Sequence, residues 1–321
     1  MTDTENPAWW IYQGTNEVNK SAIERLPEAP PWRRFDDETC DNRGSQFRPN
    51  TNEEIELVNA ALYLRRPLLV TGKPGTGKTT LAYAVARELG LGDVLRWSIT
   101  TRSTLQEGLY RYDAIARLQD ASLQKDKTPP DIGQYLRLGP LGTAFAAVKT
   151  PRVLLIDEID KSDIDLPNDL LHIFEEGEFE IPELARLPEE QQKVSIRAHS
   201  DDTQTFEITG GQVRCNAFPL VIMTSNGEKE FPSPFLRRCL RLEMQLPDTE
   251  EQLKKIVEAH FENVIESEIL NNVITEFFKR QTKQDLANDQ LLNAAYLVLN
   301  NIKVLEREKF IDVLWKSLSA E

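Results

Sequence analysis

The sequence of 321 residues has few of the residues that build metal sites and disulfide frameworks. Its three cysteines, Cys40, Cys215 and Cys239, are scattered and odd in number, and its three histidines complete no metal-ligand spacing. No apolar run approaches the roughly 18 residues that a membrane span needs, and the acidic N-terminus differs from a secretory signal. These absences favour a reducing compartment. We therefore expect a cytoplasmic protein with no membrane partner.

Positive charge is also in short supply. The chain has 38 Lys and Arg against 52 Asp and Glu, which gives a net charge of −14. Such a field repels phosphate backbones, so we do not expect nucleic acid as a partner, although a local basic pore is compatible with it. With 40% hydrophobic and 28% charged residues, the composition otherwise fits an ordinary globular protein. The length suggests two domains, or one large domain with an appendage.

Short buried strands alternate with helices in the middle of the chain. A helix from residue 52 is followed by an apolar strand at 67–71, and further strands are predicted at 94–100, 153–156 and 220–223. This order predicts an α/β fold, a parallel sheet flanked by helices. Alternating residues on both sides of Gly210-Gly211 predict a β-hairpin insertion at 205–215.

The two ends of the chain have different patterns. After residue 248 the periodicity predicts only helices, at 249–262, 264–281, 287–300 and 307–318. We therefore assign 51–248 to an α/β domain and 249–321 to a small helical domain. Residues 1–50 form an extension rich in Pro and Trp, with three of the five tryptophans, Trp9, Trp10 and Trp32. We expect an extended strap whose rings dock on a folded surface; a P-x-x-P ligand or a plain linker is the alternative.

The glycine-rich segment after the first strand fits G-x-x-x-x-G-K-[ST], with the required strand before it and helix after it. In that motif, backbone N–H groups surround the phosphates of a nucleotide at a helix N-terminus. Lys78 is expected to reach the β and γ phosphates, and the Thr79 hydroxyl to ligate Mg²⁺. The nucleotide-binding residues are therefore predicted to be Gly72, Lys73, Pro74, Gly75, Thr76, Gly77, Lys78, Thr79 and Thr80.

Two carboxylates follow the strand predicted at 153–156. Asp157 and Glu158 would lie at its carboxyl end, where open α/β sheets bind ligands. We expect Asp157 to hold the Mg²⁺ shell and Glu158 to orient and deprotonate an attacking water. A water-activating acid at this place favours hydrolysis over phosphoryl transfer to a small molecule.

The fourth strand ends in Met223-Thr224-Ser225-Asn226. Asn226 is a candidate for positioning the water, although Asn after a strand is often a turn residue. Further on, Arg237 and Arg238 form a pair that is either a solvated face or a source of an arginine finger.

Together these residues resemble the AAA+ ATPases and, within them, the MoxR family. The resemblance rests on G-K-P-G-T-G-K-T, L-L-I-D-E-I-D-K and I-M-T-S-N-G-E-K-E-F-P-S-P-F-L-R-R-C, and it covers about residues 50–248 well. It implies a P-loop NTPase fold with an all-helical C-terminal lid. It also implies that Asn226 matches sensor 1 and that Arg238 matches the arginine finger, with Arg237 as the second candidate.

The resemblance further implies a homo-oligomeric ring, expected to be a hexamer or an open spiral, whose ATP cycle remodels a protein client. Such proteins often act beside a partner with a von Willebrand factor A domain. Similar insertions in this clade line the central pore, so the loop at 105–110 and the hairpin at 205–215 are plausible client-facing elements. The alternative for both is surface ornament.

One position departs from the family pattern. In the family, a basic sensor 2 residue usually stands at the start of a lid helix. Here that helix begins near Asn288-Asp289-Gln290-Leu291, with no Arg or Lys at the matching place. Lys283 and Arg307 are the next candidates for that role.

The expected function is an ATP-hydrolysing remodelling chaperone with ATP and Mg²⁺ as cofactors. The alternative is a nucleotide-dependent switch or scaffold of a signalling or defence complex, with slow turnover. A GTP-using motor is suggested only by Thr282-Lys283-Gln284-Asp285, which lies in the predicted lid and is read as chance. A helicase is opposed by the acidic balance.

Overall fold

The computed structural model describes residues 9–16, 18, 20–34, 43–123, 130–199, 201–261, 268–282, 284, 286–302 and 308–316. They divide into two compact units, one within Pro49–Gln245 and one within Met1–Arg48 together with Leu246–Glu321. The first is called the α/β unit and the second the helical unit. The segment predicted as a separate N-terminal extension thus groups with the C-terminal helices.

In chain order, the elements of the α/β unit are α1 (Asn52–Leu64), β1 (Leu68–Thr71), α2 (Lys78–Glu88), β2 (Leu95–Ser98), α3 (Leu105–Leu109), β3 (Tyr110–Tyr112), α4 (Ala114–Leu123), β4 (Leu136–Leu138), α5 (Pro140–Ala146), β5 (Val153–Asp157), α6 (Leu166–Glu176), β6 (Glu178–Glu180), α7 (Pro182–Ala185), β7 (Lys193–Arg197), β8 (Thr205–Thr209), β9 (Gln212–Arg214), β10 (Leu220–Ser225), α8 (Ser233–Arg238) and β11 (Leu240–Glu243).

The main sheet has the strand order β11-β1-β10-β5-β2, and its neighbouring strands in the described chain pair in parallel. Strands β5 and β10 are buried at every position, which is why their sequences read as continuous apolar runs. The prediction of a parallel sheet flanked by helices is confirmed. Because β1, β10 and β5 are neighbours and run in the same direction, their carboxyl ends come together at one edge.

The second sheet is larger than the predicted hairpin. In the described residues it has the order β3-β4-β7-β8-β9-β6, and the predicted hairpin forms β8 and β9 within it. The sequence did not predict β3, β4, β6 or β7. Three of these strands, β3, β4 and β6, are only three residues long, so their sequences carry little periodic signal. Their partner strands lie far away in the sequence. The buried faces of both sheets contribute to one apolar core.

The helical unit contains α9 (Glu250–His260), α10 (Glu268–Gln281), α11 (Asn288–Leu299) and α12 (Glu308–Leu314). The predicted C-terminal helices are therefore present. Their apolar faces form a separate core, with Phe277 and Trp315 almost fully buried and their rings 5.4 Å apart. The side chain of Thr249 caps the start of α9 by accepting a hydrogen bond from the Gln252 amide.

The N-terminal segment docks on these helices. The ring of Trp32 lies edge-on to the rings of His260, Phe261 and Tyr296, with centroid separations of 6.2, 5.8 and 6.3 Å. Trp9 lies 5.9 Å from the ring of Phe310, and Trp10 packs against Trp9. The expected docking of the rings is confirmed, and the C-terminal helices provide the surface within this unit. The segment is not extended throughout, because short 3-10 helices form at Lys20–Arg25, Pro31–Arg33 and Arg43–Gln46.

Among the described residues, no helix has both the length and the apolar character that crossing a membrane requires.

Candidate nucleotide site

The glycine-rich loop joins β1 to α2 through a backbone that side chains would obstruct. Gly72 has a φ of +145°, and a Cβ there would clash with the carbonyl oxygen of Met244. Gly77 precedes the first residue of α2 and has a φ of +92°, in the region that favours glycine. These two glycines allow the loop to fold back over the N-terminus of α2. The N-terminus of a helix attracts anions through its free N–H groups and its dipole.

Lys78 is held inside this loop. Its Nζ donates to the carbonyl oxygens of Gly72 and Lys73 at 2.6 and 2.9 Å, and the residue is only 7% exposed. Burial lowers the pKa of Lys78 from its ordinary value, and the negative charges of nearby carboxylates, Asp160 first among them, oppose that shift. An ammonium group placed between carbonyl groups and carboxylates is available to a phosphate that enters the loop.

Asp157 joins the loop to the end of β5. Its Oδ1 accepts hydrogen bonds from Thr79 Oγ1 at 2.9 Å and from Thr224 Oγ1 at 2.8 Å. Its Oδ2 forms an ion pair with Arg96 at 2.6 Å, and the carboxylate side chain is 7% exposed. A hydroxyl and a carboxylate oxygen at this separation are ligands of the kind that Mg²⁺ prefers, so the residues fit that ion.

Glu158 follows Asp157 in a strained conformation. It has a φ of +61°, which is rare for a residue with a side chain, and its amide donates to Thr224 Oγ1 at 2.8 Å. This left-handed backbone conformation changes the direction of the chain at the end of β5. The carboxylate is about 42% exposed and pairs with Lys161 Nζ at 2.7 Å.

The loop after β10 is fixed by a buried carboxylate. Asp160 Oδ2 accepts from the amides of Asn226 and Glu228 at 2.8 and 3.1 Å. Asp160 is 1% exposed, and its Oδ1 has no hydrogen-bond partner within the described part of the chain. The position of Asn226 is therefore tied to the turn that carries Glu158.

Arg237 and Arg238 end α8 and lie in a different set of contacts. The Arg238 side chain pairs with Glu175 of α6 and is 47% exposed. Arg66 donates to the main-chain oxygens of both arginines, which satisfies two carbonyl groups at the helix end. In the described chain, no hydrogen bond or ion pair connects either arginine to Lys78 or Asp157.

Four residues of these networks were missed by the sequence reasoning: Arg66, Arg96, Asp160 and Thr224. Two of them lie inside quoted motifs, since Asp160 follows Glu158 by two positions and Thr224 precedes Asn226 by two. Arg96 gives a weaker signal, as an exposed residue between the buried Leu95 and Trp97 of β2. Only the neighbouring positions of β2 and β5 reveal that Arg96 reaches Asp157.

A family model described as "AAA domain (Cdc48 subfamily)" matches residues 66–282 of the chain. This range includes the glycine-rich loop, Asp157, Glu158, Asn226 and both arginines. The chain belongs to the AAA family. No curated protein matches the sequence.

Solved structures similar to this AAA chain have low sequence identity. NtrX from Brucella abortus in complex with ADP is 12% identical at a TM-score of 0.47, with 88% of this chain and 60% of that chain covered. NtrX in complex with ATP is 13% identical at 0.35, with 65% and 38% covered. A variant of Thermotoga maritima RuvB is 15% identical at 0.41, with 82% and 65% covered. The AAA chain thus spans less than two thirds of these chains.

The position expected to hold sensor 2 lies beyond the matched range of the AAA model. Gln290, in the first turn of α11, accepts from the amide of Ala287 at 2.9 Å and donates to the carbonyl oxygens of Leu314 and Lys316 at 3.3 and 2.8 Å. Its side chain therefore bridges α11 to the end of α12 inside the helical unit. The other candidates, Lys283 and Arg307, lie outside the described residues.

Proposed function

We propose that this AAA protein binds Mg-ATP at the loop 72–80 and hydrolyses it. The observation that carries the proposal is the 2.9 Å contact between Thr79 Oγ1 and Asp157 Oδ1. This contact joins the glycine-rich loop to the carboxylate at the end of β5, although the two residues lie 78 positions apart in the chain. In this proposal Lys78 would bind the β and γ phosphates, and Thr79 and Asp157 would hold the ion.

Hydrolysis in this proposal uses Glu158 as the general base. Its carboxylate takes a proton from a water whose oxygen attacks the γ phosphorus, while the bond from that phosphorus to the β–γ bridging oxygen breaks and ADP leaves. Bound Mg²⁺ would neutralise charge on the phosphates. Asn226 orients the water, and Asp160 holds the loop of Asn226 in register with Glu158.

The finer proposal is a MoxR-like ring in which each subunit remodels or activates a protein partner. In this arrangement Arg238 acts on the γ phosphate of a neighbouring subunit, with Arg237 as the second candidate. Two features support it: the Arg238 side chain is 47% exposed, and Arg66 fixes the helix end that carries it. The homo-oligomer is expected to be a hexamer, and a protein with a von Willebrand factor A domain is an expected partner.

A nucleotide-dependent switch or scaffold with slow turnover is the second candidate function. The ion pair of Lys161 with Glu158 and that of Arg96 with Asp157 favour it, because both carboxylates are neutralised by residues of the same chain. The contact with Lys161 occupies one of the two carboxylate oxygens of the base, Glu158 Oε2. Hydrolysis measured with and without a purified partner separates the two functions, since a remodelling enzyme continues to turn over with its partner bound.

The nucleotide site itself is tested by replacing Lys78. We expect Lys78→Ala to abolish measurable ATP binding in a calorimetric titration, because the change removes the charge that contacts the phosphates. Lys149→Ala, at an exposed lysine of the same unit, is the matched control and should bind ATP normally. Unchanged affinity in Lys78→Ala, with a normal melting temperature, would contradict the assignment.

A further inference from the structure

Three arginines lie in a row across the second sheet. The register of β3 and β4 places Arg111 opposite Arg137, and the register of β4 and β7 places Arg137 beside Arg197. Because adjacent strands are about 4.8 Å apart, the row extends over about 10 Å. All three alternate with buried residues on their strands, so they share the outer face of the sheet. These residues are called the arginine row.

Among the described residues, contacts within the chain hold only the central arginine of the row. Arg137 pairs with Asp202 and donates to the carbonyl oxygens of Ala198 and His199 at 3.4 and 3.2 Å. The side chains of Arg111 and Arg197 form no ion pair or hydrogen bond with the described residues, and both arginines are exposed. The row therefore presents two uncompensated cations, one on each side of an anchored third.

Elsewhere in this sheet, charged residues on neighbouring strands form ion pairs of opposite charge. Lys193 of β7 pairs with Glu207 of β8 at 3.3 Å, and Arg214 of β9 pairs with Glu178 of β6 at 2.8 Å. Opposite charges across strands stabilise a sheet, whereas like charges side by side destabilise it. The arginine row is thus an exception within its own sheet, in a chain whose net charge is −14.

The electric field of the row is visible at His199. Burial is the largest cause that lowers the pKa of His199, and the positive charges of Arg111 and Arg137 lower it further. The imidazole therefore adds little positive charge of its own at neutral pH. The positive charge of this face therefore comes from the guanidinium groups.

We propose that the arginine row binds an extended, carboxylate-rich segment of a protein partner. Guanidinium groups bind carboxylates through two parallel hydrogen bonds, and the free arginines at the two ends of the row can each take one. Along an extended chain, side chains on one side recur about every 7 Å, so acidic residues at alternate positions can reach both ends. A polynucleotide would bring many more charges against the acidic remainder of the protein.

This inference deepens the proposed function by naming the chemistry of the partner, and it rests on that function only for the partner being a protein. The test measures binding of a fluorescent dodecamer that alternates Glu and Ser to the full chain, by anisotropy at low salt. We expect saturable binding that the double variant Arg111→Gln/Arg197→Gln weakens by at least about tenfold. Arg214→Gln, which alters a paired and exposed arginine of the same sheet, should bind like the parent.

The other probes separate this proposal from its rivals. A Gln-Ser dodecamer should not bind, and a single-stranded oligonucleotide should bind more weakly than the acidic peptide. Lys78→Ala should bind the peptide normally, so loss of nucleotide binding in that variant tests the ATPase proposal alone. Three results would overturn the inference. The double variant and the parent could bind the peptide equally, or the parent could prefer the oligonucleotide. The parent could also bind no peptide and instead self-associate in a way that the double variant does not.

Discussion

Among single residues, Asp160 has a particular role: one of its carboxylate oxygens accepts hydrogen bonds from two amides of the loop that contains Asn226. A hydrogen bond to a charged group contributes about 1.5–3 kcal/mol. The two amides donate across 66 and 68 residues of sequence, so this carboxylate connects segments that motif reading treats separately. Asp160 is therefore a positioning residue for Asn226.

We expect Asp160→Asn to lower kcat by about tenfold or more while the Kd for ATP changes by a smaller factor, because Asp160 holds the loop of Asn226 by hydrogen bonds and acts on Lys78 only through its charge. Rapid-quench kinetics and an ATP titration measure the two quantities. Asp163→Asn, at an exposed acid of the same segment, is the control. A purely structural role would lower the melting temperature and affect both constants together, which would contradict the positioning role.

The residues that sequence reasoning identified are those whose signal is local. Lys78 and Thr79 lie in one short motif, and Asp157 and Glu158 follow a strand that is recognisable as an apolar run. Arg96 and Thr224 could not be assigned in this way, since their contacts with Asp157 depend on which strands are neighbours in the sheet.

At the scale of elements, length and burial decide what the sequence reveals. The fully buried strands β5 and β10 read as continuous apolar runs, and the helices α9 to α12 carry an amphipathic periodicity. Within the described residues, which leave out 262, 264–267, 307 and 317–318 of the predicted helices, these elements were predicted close to their observed bounds. The three-residue strands β3, β4 and β6 were not predicted, because segments of that length acquire their conformation from pairing.

The docking of Trp32 gives the element-scale prediction. We expect Trp32→Ala to lower the free energy of unfolding of the helical unit by about 2–3 kcal/mol, because the ring packs against three aromatic side chains. Urea denaturation followed by circular dichroism measures the change. Tyr12→Ala removes an aromatic ring of the same segment that is 86% exposed, and it should have almost no effect. Equal stability of the two variants would mean that the packing of Trp32 contributes nothing.

At the scale of the whole molecule, the two ends of the chain join in one unit. The Tyr296 hydroxyl donates to the carbonyl oxygen of Glu28, 268 residues away in the sequence. The sequence reasoning separated 1–50 from 249–321, because composition changes along the chain while such contacts leave no periodic trace. The family resemblance covers only about residues 50–248, so it could not predict these contacts between the two ends of the chain either.

The proposed sharing of a site between subunits is also a property of the whole molecule. An arginine finger supplied by a neighbour is worth roughly 10³ or more in rate, so Arg238→Ala should lose hydrolysis while it still binds ATP. Mixing it with Lys78→Ala should restore activity at some sites, because intact fingers then meet intact loops. Sedimentation must show that mixed oligomers form. If they form and no mixing ratio recovers activity, the site is not shared between subunits.

The most direct test of the proposed ATPase site is the single-turnover rate of phosphate release from Glu158→Gln, with protein in excess over ATP. The amide keeps the shape of the side chain and lacks the base, so the rate should fall by about 100-fold or more relative to the parent, while Mg-ATP binding remains. Release of phosphate at the parental rate would contradict the account, because the carboxylate at the end of β5 would then have no part in hydrolysis.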